Sequence, residues 1–89
     1  MKRKDVTIEN KLGFHARPAS MFVRKALSFN SEITVEKNGE KASGKSIMAL
    51  MALAAAKGTV LTLIADGEDA DTALNELGQL FADKFGEDE

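Results

Sequence analysis

The sequence predicts an α+β fold in which four strands and three helices follow one another in the order β-α-β-β-α-β-α. Three observations predict it. Apolar and polar side chains alternate with a two-residue period near the N-terminus and around Ile33 and Val35, the mark of half-buried strands. Apolar stripes with the i, i+3, i+4, i+7 spacing of a helix begin at Ala16 and at Ala70. Between two alternating runs stands Asn38-Gly39, a dipeptide suited to a tight hairpin turn because both positions tolerate positive φ. The helices are expected on one face of an antiparallel sheet, an open sandwich.

Each element can be justified in turn. DVTIEN alternates Val6 and Ile8 with polar neighbours and predicts a strand over 4–9, which Lys11-Leu12-Gly13 interrupts. Ala19, Phe22, Val23 and Ala26 form one stripe and predict an amphipathic helix over 16–28. Pro18 fits its first turn, where no intrahelical N–H bond is needed. SEITVEKNGEKAS reads as a hairpin. Gly44-Lys45-Ser46 leads into IMALMALAAAKG, a short helix expected to end at Gly58. TVLTLIADG, residues 59–67, predicts an interior strand with Leu61, Leu63 and Ala65 on one face. The last helix begins at Glu68-Asp69, acidic residues that suit a helix N-terminus, and buries Ala70, Ala73, Leu74, Leu77, Leu80 and Phe81. The tail GEDE is expected to fray.

Residues 1–89 are expected to form one domain, since 44% hydrophobic and 29% charged residues are typical of a soluble globular chain. The absence of cysteine excludes disulfides and thiolate metal sites. No apolar segment follows the basic N-terminus, so no secretory signal is predicted. The longest apolar run, 47–56, is far short of the ~20 residues that span a bilayer, so no membrane insertion is predicted. A cytoplasmic monomer is the expectation. The net charge of −2 is divided: residues 1–45 hold ten Lys/Arg against five Asp/Glu, and residues 46–89 hold two against nine. A partner docking on the basic half should be acidic. Nucleic acid is disfavoured, because the chain has no Tyr or Trp and its acidic half would be repelled by phosphates.

The only histidine, His15, and the only proline, Pro18, lie in NKLGFHARPASMFV with Arg17 between them. His15 falls at the helix N-cap or just before it. The first-turn N–H groups, at Ala16 and Arg17, point outward with the positive end of the helix dipole and favour an anion. Arg17 adds a planar cation able to grip phosphate oxygens in pairs. A neutral imidazole beside such a cradle is suited to accept a phosphoryl group and pass it on. From the residues alone, a solvated or capping histidine is the commoner reading. Likewise, Ser46 before a helical run reads as an N-cap. The helix after Ser46 is apolar all round, although a short surface helix buries only one stripe. Some of Ile47, Met48 and Met51 should therefore be exposed as a docking patch, rimmed by Arg24, Lys25, Lys41 and Lys45.

GFHARPAS, followed by an amphipathic helix, resembles the active-site signature of the HPr family, the histidine-containing phosphocarriers of the bacterial phosphotransferase system. GKSIMALMALAAAKG resembles that family's regulatory serine motif, and the spacing of the two motifs agrees as well. The resemblance implies an open-faced β-sandwich, four antiparallel strands covered on one face by three helices. It implies that His15 receives a phosphoryl group on Nδ1 from phosphorylated enzyme I and passes it to an enzyme IIA component for sugar uptake. Arg17 would neutralise the phosphate charge. Ser46 would be modified by a serine kinase and restored by a phosphorylase. The protein would be a carrier rather than an enzyme, and no cofactor is implied. Two positions depart from the family pattern: Leu12 stands where a small polar residue is common, and Phe14 is bulkier than the usual aliphatic residue. NKLG also resembles the nitrogen-regulatory branch, whose relay feeds regulators instead of sugar transporters. A non-phosphorylated anion-binding interaction domain is the reading from outside the family.

Overall fold

The computed structural model describes residues 1–53 and 55–87; Ala54, Asp88 and Glu89 lie outside the described residues. The chain forms β1 (Lys2–Thr7), α1 (Ala16–Ala26), β2 (Glu32–Lys37), β3 (Glu40–Ser43), α2 (Ile47–Ala52), β4 (Val60–Asp66) and α3 (Ala70–Ala82), then a 3-10 turn at Lys84–Gly86. The four strands make one antiparallel sheet in the order β1-β4-β2-β3. The three helices cover one face, giving the open-faced α+β sandwich that the element order predicted.

Burial follows the periodicities. On β4, Leu61, Leu63 and Ala65 lie fully buried under the helices, and the strand is interior, between β1 and β2. Ile33 and Val35 of β2 and Val6 of β1 join them. The other face of β4 carries Val60, Thr62, Ile64 and Asp66. Of these, Ile64 is buried although it faces away from the helices, because Arg3 and Thr34 flank it in the two neighbouring strands. Ala19, Phe22, Val23 and Ala26 form the buried stripe of α1, and Ala70, Ala73, Leu74, Leu77 and Phe81 that of α3, with Leu80 partly buried. Asn38 and Gly39 take φ of 51° and 89° in the hairpin turn.

Several boundaries differ from the sequence expectation. β1 runs over Lys2–Thr7 rather than 4–9, because β4 is long enough to pair Lys2 with Ala65 and Arg3 with Ile64. Ile8 is fully buried but leaves the regular ladder and bonds Thr59 and Gly58 instead. α1 stops at Ala26 rather than 28: the Ser28 N–H and Oγ both turn back to the Lys25 carbonyl, at 3.0 and 2.6 Å. α2 ends at Ala52, not at Gly58. Its all-apolar sequence does not encode the stop; Leu53 and Ala55 turn inward and the Ala55 carbonyl accepts the Phe14 N–H at 2.9 Å. Asp69 stands at the N-cap of α3 but makes no capping bond. Its carboxylate instead accepts the N–H groups of Asn30 and Ser31, at 2.8 and 2.9 Å, and the Ser31 hydroxyl.

Candidate functional site

The site begins with the Asn10–Phe14 loop. Gly13 has φ +72°, and a Cβ there would sit 2.6 Å from the Ala55 carbonyl oxygen, so only glycine lets the loop lie against this segment. Asn10 is buried; its carbonyl accepts the Gly13 N–H at 3.1 Å and its amide donates to the Gly13 carbonyl at 2.7 Å. Phe14 explains its own bulk. Its ring lies 6.0 Å from Phe22, 5.8 Å from Phe81 and 5.9 Å from Phe85, closing an aromatic cluster under the loop.

Held between this cluster and α1, His15 takes the extended backbone of an N-cap, and its carbonyl accepts the Ala19 N–H at 3.0 Å. Its side chain makes no capping bond. The ring instead meets Glu87, with Nε2 2.9 Å from Oε2. Arg17 Nη1 donates to the same oxygen at 3.0 Å and to the Phe85 carbonyl at 3.1 Å. The Asn10 amide donates to the other carboxylate oxygen, Oε1, at 3.0 Å. His15, Arg17 and Asn10 thus converge on one anion, 72, 70 and 77 residues distant in the chain.

The tail reaches the site through the 3-10 turn. Lys84, Phe85 and Gly86 all have positive φ, at 53°, 54° and 77°. For Lys84 and Phe85 this conformation costs roughly 1–2 kcal/mol each. Burial of the Phe85 ring, 4.8 Å from Phe81 and almost wholly out of solvent, offsets it. The fraying expected of the tail is therefore corrected for Gly86 and Glu87: the Glu87 side chain is only 17% exposed. Asp88 and Glu89, also within that expectation, lie outside the described residues. Burial pushes the Glu87 carboxyl up, but the hydrogen bonds from Asn10, His15 and Arg17, with the charge of His15, outweigh it and hold the group below its ordinary value of 4.5.

The remaining predicted residues fall as follows. Ala16 and Arg17 open α1, both solvent-exposed, with their N–H groups ahead of its first intrahelical bond. Ser46 is the N-cap of α2, its hydroxyl accepting the Ala49 N–H at 3.2 Å. Leu50 is the fully buried residue of α2, while Ile47, Met48 and Met51 are 39%, 84% and 42% exposed. α2 packs beside α1. Arg24 and Lys41 are exposed; Lys25 pairs with Glu76 at 2.8 Å, and Lys45 donates to the Phe29 carbonyl at 3.1 Å, which ties it to the α1–β2 loop. Leu12 is 72% exposed. Sequence reasoning missed Asn10 and Glu87. The available signal was Phe85, four residues beyond Phe81 and able to extend the apolar stripe past the end of α3. Among the described residues no group of three or more His, Cys, Asp or Glu side chains could hold a metal ion, and no helix is long and apolar enough to cross a membrane.

An open-faced sandwich that seats a histidine at a helix N-terminus, with an arginine and a bound carboxylate beside it, defines a small anion-handling module. The model of the family described as "PTS HPr component phosphorylation site" matches residues 2–83. Phosphocarrier protein HPr of Neisseria meningitidis serogroup A is 48% identical over 89 residues, the whole of both chains. The crystal structure of HPr from Thermoanaerobacter tengcongensis superposes with a TM-score of 0.95 at 45% identity, covering all of both chains. Crh, a catabolite-repression protein of Bacillus subtilis whose crystal structure is described as a swapped dimer, matches with a TM-score of 0.76 at 44% identity, over 94% of this chain and 97% of that one. The chain belongs to the HPr family of the phosphotransferase system. It is a phosphocarrier, not a catalytic enzyme.

Proposed function

We propose that His15 is the phosphoryl acceptor of this carrier, charged by phosphorylated enzyme I and discharged onto an enzyme IIA component for sugar uptake, and that residues 1–89 act in the cytoplasm as one domain and a monomer. One observation carries the reading: the His15 imidazole and the Arg17 guanidinium converge on a single carboxylate oxygen at 2.9 and 3.0 Å, so the two groups already cooperate in holding an anion. The α1 N–H groups of Ala16 and Arg17 add their dipole to the same end of the helix. Incubation with phosphoenolpyruvate and enzyme I should add one acid-labile, base-stable phosphoryl group, and His15→Ala should abolish it. A wild-type protein that takes up no phosphoryl group refutes the assignment.

Ile47, Met48 and Met51, with Arg24 and Lys45 at the rim, form the proposed docking face for these acidic partners, where methionine adapts to more than one surface. Ser46 is the proposed regulatory site of a kinase and phosphorylase. Its phosphate would sit at a helix N-terminus, which stabilises the added charge, beside the docking face, where negative charge opposes an acidic partner. Ser46→Asp should keep the fold and slow phosphoryl uptake from enzyme I; uptake at the wild-type rate refutes that role. NKLG and the exposed Leu12 favour a second reading, a regulatory relay without sugar transport, which acceptance by a nitrogen-regulatory rather than a sugar-specific enzyme IIA would reveal.

A further inference from the structure

We propose that Glu87 is a positioning residue for His15: its carboxylate fixes the proton on Nε2 and thereby presents the Nδ1 lone pair to the incoming phosphoryl group. The proposal deepens the phosphoryl-acceptor reading and rests on it. An ionised carboxylate only accepts hydrogen bonds, so at 2.9 Å from Glu87 Oε2 the imidazole Nε2 must carry the hydrogen. In the neutral ring that leaves Nδ1 unprotonated, with its lone pair available. The carboxylate is itself immobilised. Asn10, 1% exposed and anchored to the Gly13 carbonyl, donates to Oε1, and Arg17 donates to Oε2. Phe85, buried in the aromatic cluster, brings the tail to this place. A surface carboxylate meeting a histidine by chance would not have three further anchors.

The same geometry serves the charge that transfer creates. Uptake breaks the donor's phosphorus–nitrogen bond, whose electron pair remains on the donor imidazole. The Nδ1 lone pair of His15 forms the new bond to phosphorus. The Nε2 proton stays in place, so the ring becomes an N-phosphorylated imidazolium whose positive charge faces Glu87 at hydrogen-bond distance. Both N–H groups of Arg17 Nη1 are taken by Glu87 and the Phe85 carbonyl, which leaves the Nη2 and Nε side of the guanidinium to meet the phosphoryl oxygens.

The test uses the full chain, unphosphorylated and then phosphorylated. Nitrogen-15 spectra of the His15 ring, taken where the imidazole is neutral, should show one tautomer with a slowly exchanging Nε2–H in the wild type. Glu87→Ala should lose that slow exchange and sample both tautomers. Glu87→Gln keeps an acceptor oxygen without the charge, and should hold the tautomer while accepting phosphoryl groups more slowly. Uptake from phosphorylated enzyme I should slow on the order of tenfold in Glu87→Ala, the scale at which carboxylate partners of functional histidines matter. Glu87→Gln should fall between that variant and the wild type. Mixed tautomers in the wild type overturn the proposal. So does uptake by Glu87→Ala at or above the wild-type rate; faster uptake would mean that the carboxylate blocks the site instead of preparing it. If the wild type takes up no phosphoryl group at all, the acceptor reading fails, whereas the tautomer spectra of the unphosphorylated protein still decide the positioning role.

Discussion

Phe85→Ala removes a ring that is 1% exposed and packs against Phe14 and Phe81 at 5.9 and 4.8 Å. Truncating a buried phenylalanine typically costs about 3–5 kcal/mol, part transfer and part cavity. Alanine would keep the left-handed φ of 54°, so no strain is relieved to soften the loss. The residue lies in a three-residue 3-10 turn that can partly collapse into the vacated space, and a loss of about 3 kcal/mol is expected. A folded chain of 89 residues has a total stability of roughly 4–13 kcal/mol, so the variant should still fold. The chain contains no Trp or Tyr, so urea unfolding is best followed by far-UV circular dichroism. With a slope of about 1–1.5 kcal/mol per molar urea, suited to a small domain, the midpoint should fall by about 2–3 M. Phe85→Leu should lose only about 1 kcal/mol. A loss below about 1 kcal/mol in the alanine variant would show that the tail is not packed in solution, and with it would go the reason for Glu87 to stand beside His15.

Three further outcomes follow from the same contacts. Glu87 and Asp69 both titrate below their ordinary values, Asp69 chiefly through the Ser31 hydroxyl and the Asn30 N–H. A depressed carboxyl pKa adds stability that is complete above the unfolded value and vanishes as pH falls through the folded one. The melting temperature should therefore decline as pH drops below about 4.5 for Glu87 and 3.8 for Asp69, and more gently in a Glu87→Gln, Asp69→Asn double variant; equal slopes would refute this. Gly13→Ala places a Cβ 2.6 Å from the Ala55 carbonyl oxygen at φ +72° and should destabilise by about 2 kcal/mol or more, read by thermal melting, with shifted His15 resonances. Ser46→Ala loses the bond from the Ala49 N–H and should cost about 1 kcal/mol in urea, while Ser46→Asp, which can still cap, should cost less.

Much of the fold was legible because its signals are local. Alternation around Val6, Ile33 and Val35, the stripes of α1 and α3, and Asn38-Gly39 each act within one element, through side-chain direction and backbone preference. The caps were legible for the same reason: His15 and Ser46 stand where their helices start. The end of α2 was not legible, since an apolar run has no periodicity to stop, and its limit comes from the Phe14 N–H, supplied by a loop distant in the sequence. The role of Asp69 escaped for a similar reason, its partners lying 38 and 39 residues away.

The candidate site divides along the same line. By itself, the sequence determined that an imidazole and a guanidinium stand together at the start of a helix, because two residues of one turn cannot be far apart. Only the tertiary structure decided what lies opposite them. Glu87 reaches His15 because Phe85 finds an aromatic pocket that exists only once Phe14, Phe22 and Phe81 have been brought together from the loop, α1 and α3. No local pattern encodes a contact between residues 72 positions apart, and burial of one ring in a core built by distant segments does.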